Sequence, residues 1–116
     1  MNLKIILLFI TLFCIISNSI AQKIFETKYV SQADVKIYIV NKKSKCDLKV
    51  HYVDYTYQAK ENDGLWFEVD YAYQADVKVH FVKYEQQSDI TIFKVKHKYD
   101  AGWVHKKKKH FFRYAQ

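Results

Sequence analysis

One pattern recurs along this 116-residue chain at a spacing of 13, and that periodicity restricts the fold more than any other feature. QADVKIYIV begins at Gln32, KCDLKVHYV at Lys45, QADVKVHFV at Gln74 and QSDITIFKV at Gln87. Their aspartates, Asp34, Asp47, Asp76 and Asp89, are spaced 13, 29 and 13 apart. A fifth copy fills the long gap: Gln58-Ala59, three additional residues, then DGLWFEV from Asp63, which makes the spacings 13, 16, 13 and 13. One more step of 13 reaches Gly102 in the sequence DAGW, a truncated sixth copy.

Aligned on the aspartate, the copies form columns. Three residues on stand Ile37, Val50, Trp66, Val79 and Ile92; four on stand Tyr38, His51, Phe67, His80 and Phe93; six on stand Val40, Val53, Val69, Val82 and Val95. β-Branched and aromatic residues of this kind suit a pleated surface. The run V-K-V-H-F-V alternates and then becomes apolar on both sides, which predicts a strand covered on both faces. The joints read Gln/Lys-Ala-Asp, a small residue followed by a carboxylate able to accept a backbone N–H, so each unit should end in a bend. A 13-residue unit of this kind buries its apolar face only by stacking on other copies. The expected fold is therefore all-β, built from tandem repeats. In a simple solenoid His51 would lie beside Tyr38 and Phe67; in a two-start winding it would lie beside His80. The placement of the two histidines is compatible with the interlaced arrangement.

Two glycines and no proline exclude a collagen-like or linker-rich chain and argue against a stack of tight hairpins, which draw on those residues. Residues 1–21 stand apart from the repeats. Lys4, the apolar run Ile5 to Ile16 and the small residues Ser19 and Ala21 have the layout of a secretory signal cleaved after Ala21. The run is shorter than the roughly 20 residues that span a bilayer. The expected protein is thus exported, periplasmic or extracellular, with no transmembrane segment after cleavage. Cys14 leaves with the leader, so Cys46 is the one remaining thiol and no internal disulfide is possible. Its place in the alanine/serine column reads as a small buried residue. Removing Lys4 leaves 18 basic against 12 acidic residues; residues 22–103 hold 13 against 12, and the segment 104–116 holds Lys106, Lys107, Lys108, Lys109 and Arg113 with no acid. The expected organisation is a leader over 1–21, a near-neutral repeat domain over 22–103 and a basic, aromatic tail over 104–116.

The QAD-V-K-V units, the single D-G-L-W-F insert at Asp63 to Phe67 and the closing A-G-W at Ala101 to Trp103 resemble the septoil-knot family, small bacterial proteins of unknown function. The resemblance covers about residues 29–103 and departs from the pattern at Lys45-Cys46, at Gln87-Ser88 and in the basic tail. It implies an all-β chain wound through itself into a seven-crossing torus knot, and it brings no catalytic or binding residues with it.

Three groups of residues could carry chemistry. His51 and His80 share a column and, with nearby aspartates, could hold a metal for hydrolysis, although spaced ligand motifs such as H-E-x-x-H are absent. The repeat aspartates Asp34, Asp47, Asp63, Asp76 and Asp89 read as bend formers or ion-pair partners, because a calcium loop needs several oxygens close together. In the tail, the four lysines and Arg113 could attract an anionic lipid or polysaccharide, Phe111-Phe112 could insert at an interface, and HFFRY could instead form a last strand that closes the core. No G-x-S-x-G, phosphate loop, dinucleotide fingerprint or Cys-x-x-Cys is present, so no cofactor is expected. Nucleic acid ranks below envelope anions as a partner for an exported chain. The sequence thus points to a non-catalytic structural or binding module, with a metal-dependent hydrolase as the alternative.

Overall fold

The computed structural model describes residues 22–59 and 61–112. Seven strands follow one another, each separated from the next by a connection: β1 (Lys23–Glu26), β2 (Val35–Ile39), β3 (Leu48–Tyr52), β4 (Leu65–Glu68), β5 (Val77–Phe81), β6 (Ile90–Lys94) and β7 (Gly102–Trp103). β2 to β6 are the five full copies and β7 is the truncated one. β1 is a further copy whose apolar residues fall in the same columns: Ile24 stands 13 before Ile37, and Thr27 stands 13 before Val40. It lacks the Gln-Ala-Asp head, which is why sequence columns anchored on aspartate pass over it.

The strands close into a barrel. β1 to β6 pair in parallel in the order β4-β1-β5-β2-β6-β3, and β3 returns to β4 to complete the circuit. β7 lies antiparallel against Leu48 and Lys49 of β3, while β4 pairs with His51 and Tyr52 further along the same strand. One hydrogen bond per strand runs round this circuit in a single sense. The N–H of Thr27 donates to Val79, Val82 to Ile37, Val40 to Ile92, Val95 to Val50, Val53 to Trp66 and Val69 to Ile24, at 2.8–2.9 Å. Closure leaves no free edge among β1 to β6, and an open row of N–H and C=O groups is what makes an edge strand prone to pairing with other chains.

This order corrects both winding schemes considered from the sequence. Apart from β3 and β4, which meet where the ring closes, copies lie beside neither the next copy nor the next but one. β2 pairs with β5 and β6, three and four units on. The chain steps over one position at each unit, goes round, and fills the gaps on a second circuit. The arrangement is interlaced, but His51 on β3 and His80 on β5 are separated by β6 and β2.

Alternation along each strand sends one set of side chains inward. Val35, Ile37, Leu48, Val50, Trp66, Val77, Val79, Ile90 and Ile92 are buried and form the core with Ile24 and Phe112. Each large aliphatic side chain so buried contributes roughly 1.5–3 kcal/mol relative to exposure. The outward set, including Tyr38, His51, Phe67, His80 and Phe93, is half-buried, so the expectation of burial on both faces holds only in part. The inner face meets the core, whereas the outer face is covered only where corners cross it.

Those corners are single turns of 3₁₀ helix at Val30–Gln32, Lys43–Lys45, Thr56–Gln58, Ala72–Gln74, Glu85–Gln87 and Lys98–Asp100. In each, the residue after the turn donates its N–H back to the first residue of the turn. The flanking residues have φ between −72° and −132°, which any L-residue adopts. The chain therefore turns six corners without glycine or proline.

Candidate functional site

The repeat aspartates act on the backbone of a neighbouring strand. Asp34 donates its N–H to the Lys78 carbonyl at 2.7 Å and accepts the Lys78 N–H on Oδ2 at 2.8 Å. The same reciprocal clasp joins Asp76 to Lys23, Asp89 to Lys36 and Asp47 to Thr91. Each carboxylate thus satisfies the N–H at the start of the adjoining strand, where the ladder has no other acceptor. Asp63 departs from this pattern. It accepts the N–H of Leu65, the first residue of its own strand β4, at 3.3 Å. At that place Gly64 packs so closely that a Cβ would stand 2.2 Å from the Lys49 carbonyl.

The two histidines are structural in the same sense. His80 Nδ1 lies 2.8 Å from the Thr27 carbonyl and His51 Nδ1 lies 3.1 Å from the Val95 carbonyl. A carbonyl only accepts, so Nδ1 carries the proton in both rings. Each meets the first carbonyl past the end of an adjoining strand, Thr27 after β1 and Val95 after β6. The hydrolase reading required these rings to meet; they lie on different sides of the barrel. No group of three or more His, Cys, Asp or Glu side chains able to hold a metal occurs among the described residues. Cys46 is free and fully buried, its thiol donating to the Lys43 carbonyl at 3.1 Å, and burial raises its pKa. A buried thiol of raised pKa is a poor nucleophile.

Two open grooves of about 570 and 560 Å³ lie outside the barrel, lined in part by residues 13 apart: Lys23, Phe67, Val69 and Gln74 in one, Lys36, His80, Val82 and Gln87 in the other.

The basic segment is the most distinctive surface. Lys106–Phe112 forms a 3₁₀ helix rather than the strand considered from the sequence. Phe112 is fully buried, with its ring 5.5 Å from Trp66 and 5.8 Å from Trp103. Phe111 is half-buried against the same core, and Phe112, with no exposed surface, is committed to the barrel. Asp47 supplies the second anchor. Its carbonyl accepts the N–H groups of Val104 and His105, and its carboxylate accepts from His105 Nδ1 at 2.7 Å and from Lys108 Nζ at 3.0 Å. Burial alone would raise Asp47, but the Thr91 N–H, His105 and Lys108 together hold it below the ordinary carboxylate value. A third anchor runs through Asn62, which accepts from Trp103 Nε1 and donates to the Lys109 carbonyl. Lys106, Lys107 and Lys109 remain exposed, while Lys108 is paired. Arg113 lies outside the described residues. The composition of the tail gave the lysines; the partnership of Lys108 with Asp47, 61 residues away, left no signal in the sequence.

A closed ring of short strands, one to each interlaced 13-residue unit, sealed at one point by a short C-terminal helix, defines a small, all-β module of the torus-wound kind. The chain belongs to the septoil knot family: the model of the 7(1) septoil knot domain matches residues 21–104. No curated protein and no solved structure matches it. The domain's function is unknown, and a small structural module accords with the geometry.

Proposed function

We propose that this protein is an exported, non-catalytic module whose C-terminal lysines contact an anionic envelope surface, lipid or polysaccharide. The observation that carries the reading is the exposure of Lys106, Lys107 and Lys109 on a helix pinned to the core by Phe112. A fixed basic patch loses less conformational freedom on binding than a loose tail of the same charge. The leader-like pattern of residues 1–21, which lie outside the described residues, supports export. No helix of the described residues is long and apolar enough to cross a membrane, so contact with a bilayer would be peripheral.

Each lysine near an anionic surface contributes about 1 kcal/mol. Replacing Lys106, Lys107 and Lys109 together by glutamine should weaken binding by roughly two orders of magnitude at low salt, and added salt should weaken the native protein in the same direction. The test is co-sedimentation with vesicles containing anionic phospholipid, beside retention on a polyanion resin. Equal binding by the native and substituted proteins overturns the reading. Substitution is preferred to truncation after Trp103, which would also remove Phe112 from the core.

A further inference from the structure

Gln22 occupies an unusual position for a glutamine. It is fully buried, and neither Nε2 nor Oε1 of its side chain has a hydrogen-bond partner among the described residues. Its backbone is tightly engaged: the N–H donates to the Ala59 carbonyl at 2.7 Å and the carbonyl accepts from Phe67 at 3.0 Å. A buried, unpartnered amide forfeits the hydrogen bonds it would make with water, so each group left unmet destabilises the fold. Cleavage after Ala21 makes the matter worse. The nitrogen facing Ala59 would become an α-ammonium group, charged below a pKa of about 7.7–8.0 in water, and burying such a charge beside a single carbonyl is strongly unfavourable.

The residue carries its own remedy. We propose that, after cleavage between Ala21 and Gln22, Gln22 closes to pyroglutamate, an inference that rests on the export reading above. The uncharged α-amino nitrogen attacks the side-chain carboxamide carbon and a five-membered lactam forms. The bond from that carbon to Nε2 breaks, one amine proton passes to the departing nitrogen, and ammonia leaves. No oxidant or co-reactant is consumed. The two reacting groups belong to one side chain, so the step has the advantage of an intramolecular reaction. The product suits the site. The charge is gone, the unpartnered NH₂ group is gone, and the lactam nitrogen carries only one neutral N–H. The modified residue would cap β1 at the point where β1 joins β4 and β5.

The test is to express the full chain in a secreting host, recover the exported form, and measure its intact mass and N-terminal peptide. The expected mass is that of residues 22–116 less one ammonia, and the terminus should resist stepwise degradation until pyroglutamyl aminopeptidase is applied to the unfolded chain. A Gln22→Asn variant, whose side chain is one methylene short of this lactam, should have an open terminus and a Tm lower by several degrees. A native chain that begins at Gln22 with a free amine overturns this inference while leaving export intact. A chain that begins elsewhere, or keeps residues 1–21, overturns the export reading and the inference with it.

Discussion

Asp34 holds both polar backbone groups of Lys78, its N–H giving to the Lys78 carbonyl at 2.7 Å while its carboxylate takes the Lys78 N–H at 2.8 Å. Because Asp89 holds Lys36 in the same way, removing either carboxylate should orphan one N–H at a strand start. Asp89→Ala should lower stability by about 1–3 kcal/mol in urea denaturation. Asp89→Asn, whose amide oxygen still accepts, should lose less. An equal loss in both variants would mean that the carboxylate acts through its charge and not as an acceptor.

Acid stability should depend on Asp47. Its folded pKa is depressed below the ordinary value of 3.8, so its contribution is present above that value and is lost as pH falls from 3.8 through the folded pKa. Asp47→Asn should therefore show a shallower acid limb than the native protein in denaturation at about pH 3 and about pH 7. Asp76 has the opposite sign. Burial raises its pKa above the ordinary value, against the Lys23 N–H, so its protonation stabilises the fold as pH falls through the raised value toward 3.8, and Asp76→Asn should abolish that gain.

Phe112 makes the C-terminal segment part of the barrel. Phe112→Ala should cost roughly 3–5 kcal/mol, the usual range for a buried phenylalanine. Trp66 and Trp103, both in contact with its ring, should report the change as a red shift of their fluorescence. A Tm equal to that of the native protein would show that the barrel closes without this plug.

The two glycines should respond differently to alanine. At Gly64, with φ +86°, a Cβ would strike the Lys49 carbonyl; at Gly102, with φ +150°, nothing lies within 4 Å. Gly64→Ala should lower Tm steeply or prevent folding, because the obstacle is backbone that cannot move without breaking β3. Gly102→Ala should show only the smaller cost of an unfavourable φ, about 1–2 kcal/mol.

The sequence by itself determined the unit. The 13-residue columns identified β2 to β6, the core residues from Ile37 to Ile92, the buried slot of Cys46 and the irregular insert around Asp63. They did so because a residue's inward or outward direction follows from local pleat periodicity, which is written in adjacent residues. Only the tertiary structure decided the winding. Whether His51 meets His80 depends on which copies become neighbours, and copies with near-identical columns offer near-identical pairing surfaces. The choice is made by closure of the ring, a property of the whole chain. The same holds for the tail: the lysine run was plain to read, but the Asp47–Lys108 pair and the place of Phe112 beside Trp66 depend on where the second circuit ends. Aspartate at the head of each unit was visible as a bend former. That its carboxylate clasps a residue 44 or 53 positions away followed from the interlaced order, which brings distant strand starts side by side.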